Sequence, residues 1–209
     1  MLFETPGTVR TEKGPRLDGD GPGTDGAGRP RRLAAAGEWG PGVVLTPAHQ
    51  AQAIRLGLST LATYQRRTDL GNNRPDGFTR AHVERGSLAE YGAREYWGLP
   101  HDGEDRIGKP DLGQRTDTKG VRAAHHRLIV VAKEFFPAWR YMMVWIQKRE
   151  DGLLDCRIMG AAEGTNRHWK FNPKGRDEST DKPRPCFELD QQFFDWKPFM
   201  IGYLKPSDL

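Results

Sequence analysis

Hydrophobic positions along this chain change period twice, from none, to helical, to β-like. Residues 1–44 hold ten Gly and five Pro with no sustained apolar periodicity, a composition that buries too little surface to offset the entropy of ordering it. The expectation for that stretch is a flexible tail. From Thr46 the spacing becomes helical: Thr46 is a favoured N-cap, Pro47 a favoured first residue, and Ile54, Leu58, Leu61 and Ala62 recur on one face. This predicts a helix over 47–67, with Arg55, Arg66 and Arg67 on its outer face. Asp69 to Gly77 is a cluster of turn residues, and a second helix begins near Thr79 or Gly86 and stops at Gly98, with Pro100 beyond.

After a polar loop from His101 to Lys109 the period shortens. Thr116 to Arg122 reads as extended, while Leu128–Val131 and Trp139–Ile146 are apolar on both faces, as central strands covered on each side are. Asp151-Gly152 separates two β-like runs as a hairpin turn does, placing a strand over Leu154–Met159. Glu163 to Pro185 is polar and interrupted by Pro and Gly, an excursion from which the aromatic segment Phe187–Leu204 returns to the core. The order of elements predicts an α/β fold, with the tail over 1–44 and one domain over 45–209.

Candidate chemistry concentrates in Pro110-Asp-Leu-Gly-Gln-Arg-Thr-Asp-Thr-Lys119. On an extended chain residues i and i+2 share a face, so Asp117 and Lys119 emerge side by side. Asp111 and Asp117 suit a hard divalent cation, because Mg²⁺ takes one or two carboxylates and keeps its other positions for water and substrate. Glu90, inside the second helix, supplies a third carboxylate. Glu84 and Glu95 are rivals for that role; Glu90 is preferred because Gly86, Glu90, Ala93 and Trp97 form one stripe whose small residues permit close approach to a sheet. Asp-x-Lys alone carries little, since charges alternate on solvated strands, and Pro-Asp is an ordinary turn dipeptide. The order of all three elements carries the signal.

That order, helix glutamate, Pro-Asp, then Asp-x-Lys, resembles the PD-(D/E)XK nuclease superfamily. Its small, mostly phage-encoded members are similar further along: a leading helix, a Gly-x-x-x-Glu helix ending before an aromatic and Gly-Leu, a Pro-Asp-hydrophobic-Gly turn, and a late hydrophobic-Gly-aromatic segment. Here these are the helix from Pro47, Gly86 to Leu99, Pro110 to Gly113, and Met200 to Leu204, so the pattern covers residues 46–204. The resemblance implies a restriction-endonuclease-like mixed β-sheet flanked by helices and hydrolysis of DNA phosphodiester bonds with Mg²⁺ or Mn²⁺. It also implies Asp111 and Asp117 as the principal metal ligands, Glu90 as a ligand directly or through water, and Lys119 as the group that orients or activates the attacking water. Some members carry an Arg-like residue in place of the lysine; this chain keeps Lys119. A catalytically silent nuclease-like module that binds DNA or a phage assembly partner, and a structural virion component, are the alternatives, because fold alone does not fix chemistry.

A net charge of +4 suits a chain that approaches a polyanion, though only mildly. Arg167-His-Trp-Lys-Phe171, with Lys174 behind it, interleaves cations with aromatics as single-strand binders do, Arg167, Lys170 and Lys174 facing phosphates and Trp169 stacking on bases. The plainer alternative is a solvated loop anchored by one aromatic. His125 and His126 are adjacent, so on a strand they face opposite ways, and a turn is the better reading. Cys156 and Cys186 form no Cys-x-x-Cys pair and are expected to be free; a zinc site with His168 lacks a fourth ligand. There is no apolar run of membrane-spanning length and no signal-peptide layout, which points to the cytoplasm, with DNA as partner, no membrane, and a homodimer as the simplest assembly.

Overall fold

The computed structural model describes residues 28–29, 31–33, 39–66, 80–101, 109–175 and 184–209. In chain order these form β1 (Arg31–Leu33), β2 (Gly42–Leu45), α1 (Pro47–Arg66), α2 (Arg80–Trp97), β3 (Thr116–Val121), β4 (Leu128–Val131), β5 (Arg140–Lys148), β6 (Leu154–Glu163), β7 (Lys170–Asn172) and β8 (Cys186–Leu189). The architecture is mixed α/β with two sheets. The larger has the order β1-β2-β6-β5-β3 and the smaller β4-β8-β7. β3 pairs with β5 in parallel, and the other pairings are antiparallel.

α1 starts where its sequence dictates. The Thr46 hydroxyl accepts from the His49 amide at 3.4 Å, and the His49 ring accepts from the Thr46 amide at 3.3 Å, a reciprocal cap in which His takes the place usual for Glu. α2 crosses α1 at Gly57, where a Cβ would stand 1.7 Å from the Ser87 hydroxyl oxygen. It then lies on the large sheet: a Cβ at Gly92 would stand 2.6 Å from Cys156 Cβ, and one at Gly120 on β3 would meet the Arg85 carbonyl at 2.8 Å and Ala89 at 3.1 Å. The close approach therefore runs through Ala89, Gly92 and Ala93, while Gly86 is exposed with open space around it. Of the expected stripe, Ala93 and Trp97 are buried against the sheet, Glu90 stands at the margin of the contact, and Gly86 lies outside it.

The helices cover one face of the large sheet, with Ala89, Ala93 and Trp97 packing among Met142, Val144, Cys156 and Ile158. The small sheet covers the other face, with Leu128, Val130 and Leu189 against Tyr141, Met143 and Met159. Leu128–Val131 is thus not a central strand. It buries Leu128 and Val130 but leaves Ile129 half exposed, because its sheet is covered on one side only.

The expected tail boundary is also corrected. β2 runs antiparallel to β6, with Val43, Val44 and Leu45 buried, β1 pairs outside it, and Trp39 stacks on Trp145 at 4.5 Å between ring centroids. Four apolar residues behind a Gly/Pro-rich stretch suffice to complete a sheet whose partner strand is already formed. Residues 1–27 and the turn-rich segment over 69–77 lie outside the described residues, as does Arg67. Cys156 and Cys186 are free and buried, in different sheets. Among the described residues no helix is long and apolar enough to cross a membrane.

Candidate active site on the edge of β3

Among the described residues β3 is the last strand of the large sheet, with β5 on one side and no further strand on the other. Asp117 and Lys119 share one face, above their register partners Tyr141 and Met143, and the Lys119 ammonium lies 2.8 Å from Asp117 Oδ2. Thr118 points the other way, and at the free edge Asp111 Oδ2 accepts from both the Thr118 amide at 2.8 Å and the Thr118 hydroxyl at 2.6 Å. The Asp111 and Asp117 carboxyls interact directly, and the charge of Glu90 on α2 reaches Asp111. Asp111, Asp117 and Lys119 are thus neighbours at this edge, and Glu90 stands close enough on α2 for its charge to bear on Asp111.

The turn that joins the two aspartates is firmly built. Leu112 and Thr116 form a bridge, and Gly113 takes a left-handed φ of 57°, where a Cβ would also stand 2.5 Å from the Leu209 carbonyl carbon. The Leu209 carbonyl accepts from the Arg115 amide at 3.0 Å and the Thr116 hydroxyl at 2.8 Å, and Leu209 itself is buried. Glu90 is fixed by Arg94, four residues on: Arg94 Nε donates to Glu90 Oε1 at 2.8 Å. The same buried guanidinium donates to the Asp111 carbonyl at 2.7 Å and to the Pro100 carbonyl. The rival carboxylates are committed elsewhere, Glu84 to exposed Arg80 and Glu95 to His101, each at 2.7 Å.

The electrostatics follow from crowding acids in a poorly hydrated place. Burial, and then the charge of Glu90, raises the Asp111 carboxyl above its ordinary range. Burial also pushes Asp117 up, to about 7, with Asp111 adding to the shift and Lys119 opposing it. Burial disfavours charge on Lys119, but Asp117, Glu134 and Asp111 outweigh it and hold the ammonium charged above its usual range. Burial raises both carboxyls, leaving a pair of hard oxygen donors short of positive charge, a chemistry that suits Mg²⁺ or Mn²⁺. Among the described residues no three His, Cys, Asp or Glu groups form a cluster that could hold a metal; the Lys119 ammonium pairs with Asp117 and the Arg94 guanidinium with Glu90.

Three contributors were missed in the sequence. Arg94 is signalled only as Glu90 plus one helical turn, Thr118 only by lying between two named residues, and Glu134 by nothing local. Glu134 reaches Lys119 at 3.5 Å from the turn after β4.

The predicted nucleic-acid segment divides. Arg167, Lys170 and Lys174 are exposed, but Trp169 is turned inward. Its indole N–H donates to the Glu163 carbonyl at 2.9 Å, and its ring meets Phe135 and Tyr141 edge-on at 5.2 and 5.7 Å. Trp169 is the anchor of the loop, and Phe171, 55 % exposed at the β7 edge, is the aromatic presented to solvent. Arg167 and His168 border an open pocket of about 350 Å³ with Phe193, Asp195 and Lys197. His125 and His126 lie in a turn. No family model, curated protein or solved structure matches this chain.

Proposed function

We propose that this chain is a divalent-cation-dependent nuclease of restriction-endonuclease-like type acting on DNA. The observation that carries the reading is the Asp117–Lys119 ion pair on the edge strand with the Asp111 carboxyl against it. Asp111 and Asp117 are the groups that would hold the cation, with Glu90 behind them. When bound, the cation neutralises the phosphoryl oxygens and assists the departing oxygen. The chain's own residues do the rest. Thr118 fixes the orientation of Asp111 through two hydrogen bonds, and Arg94 holds Glu90 toward it. Lys119, kept charged by its neighbours, orients a water by hydrogen bonding and stabilises negative charge that develops on the phosphoryl group. Arg184, ahead of β8, lies 3.7 Å from Glu134, and on this reading the exposed Lys170 and Lys174 of the β7–β8 segment contact phosphates flanking the scissile bond.

The second reading is a catalytically silent module of the same kind that binds DNA or an assembly partner. The observation favouring it is that Lys119 and Arg94 hold two of the carboxylates a cation would need. Titration of Mg²⁺ and Mn²⁺ against cleavage of linear, circular and single-stranded DNA separates the two. Cleavage that Lys119→Ala abolishes while DNA binding survives, and that Asp111→Asn abolishes together with cation affinity, supports the enzyme. Equal cleavage by wild type and Lys119→Ala refutes it.

A further inference from the structure

Glu134 brings a carboxylate to Lys119 from outside the segment that carries the aspartates. It closes the turn Ala132–Glu134 directly after β4, where its Oε2 lies 3.5 Å from Lys119 Nζ and its Oε1 3.7 Å from Arg184 Nη2. The turn is held from beneath by β5. Tyr141, fully buried and the register partner of Asp117, donates its hydroxyl to the Glu134 carbonyl at 3.1 Å and accepts from the Phe136 amide at 2.5 Å. The residue under Asp117 thus sets the backbone that aims Glu134 at Lys119.

Lys119 stands between two carboxylates, 2.8 Å from Asp117 and 3.5 Å from Glu134. A divalent cation and the Lys119 ammonium compete for Asp117, because both are drawn to the same oxygens and repel each other at such distances. Resting on the nuclease reading above, we infer that Glu134 is a positioning residue, the second seat for the Lys119 ammonium that frees Asp117 for the cation. Arg184 steadies the Glu134 carboxylate in that seat. Glu134 acts through Lys119 and touches neither cation nor substrate.

The test is a double-mutant cycle on cation affinity, measured by calorimetry with Mg²⁺ alone in wild type, Glu134→Gln, Lys119→Gln and the double variant. In Glu134→Gln, Lys119 stays on Asp117, and Mg²⁺ affinity falls by about tenfold. In the Lys119→Gln background the same Glu134→Gln change has little effect, because no ammonium remains to be displaced. Cleavage by Glu134→Gln shows kcat down by about tenfold or more with KM nearly unchanged, and Glu134→Asp, which keeps the charge, recovers part of both losses and serves if Glu134→Gln does not fold. If Glu134→Gln binds Mg²⁺ as wild type does, or weakens it equally with and without Lys119, the inference is overturned while the nuclease reading stands. Wild type that shows the coupling but cleaves no DNA overturns the nuclease reading and leaves the role of Glu134 intact. Wild type that binds no Mg²⁺ overturns both.

Discussion

Arg94 holds Glu90 and the backbone of Asp111 with one guanidinium, its Nε 2.8 Å from the Glu90 carboxylate and its Nη2 2.7 Å from the Asp111 carbonyl. Helix and aspartate-bearing turn are thereby set against each other by a residue only 3 % exposed. Arg94→Leu leaves Glu90 and two carbonyls without their donor, and the expected destabilisation is about 1–3 kcal/mol, since the carboxylate left behind is about a third exposed and is hydrated. Arg94→Lys recovers only part, since an ammonium cannot reproduce the fork. Urea midpoints check this; a loss near zero for Arg94→Leu refutes the clamp.

The site gives stability a specific pH dependence. Asp117, raised from 3.8 to about 7, favours the protonated fold, so its contribution is fully present below its unfolded value and is lost as pH rises through about 7. A cation bound at this pair would replace that proton. The gain in Tm on adding Mg²⁺ is therefore expected to be larger at about pH 8 than at about pH 5, and Asp117→Asn should remove the difference. Equal gains at both pH values count against cation binding at this pair.

Trp169, expected to stack on bases, is packed inward, and the exposed aromatic of the segment is Phe171. Trp169→Ala should cost roughly 3 kcal/mol of stability, because the ring packs on Phe135 and Tyr141 and its N–H is bonded inside. Phe171→Ala should change stability by less than about 0.5 kcal/mol yet weaken single-stranded DNA binding by about 1–3 kcal/mol per stacked base. Fluorescence anisotropy with short oligonucleotides decides it, and undiminished binding by Phe171→Ala removes the hairpin from the interface.

Deletion of residues 1–44 removes most of β2, including the buried Val43 and Val44. At about 1.5–3 kcal/mol per buried aliphatic side chain, with the β2-facing edge of β6 left unpaired, the loss rivals the whole stability of an ordinary domain. The truncated chain is expected to lack a cooperative thermal transition by calorimetry. A transition like that of the full chain would mean that β1 and β2 contribute nothing.

What the sequence made legible follows the range of the interactions involved. The cap at Thr46, the stop at Gly98 and the Asp151-Gly152 hairpin are decided within a few residues, and each stands as expected. Asp117 and Lys119 were readable because a strand alternates with period two wherever it sits. Leu128–Val131 was misplaced because an apolar run reports burial without saying which sheet supplies it. Glu134, fifteen residues from Lys119, is brought to it by a hydroxyl on a third strand, and no spacing rule encodes that meeting.

Among the described residues β3 is the last strand of the large sheet, and a sheet edge invites pairing with another chain. Asp111 Oδ2 occupies the Thr118 amide, the donor that an intruding strand would seek. The candidate metal ligand therefore doubles as a guard against self-association. Asp111→Ala would forfeit both duties at once, and its inactivity would not distinguish lost chemistry from lost solubility. Asp111→Asn keeps an oxygen that can accept from Thr118 while giving up the charge, and so parts the two.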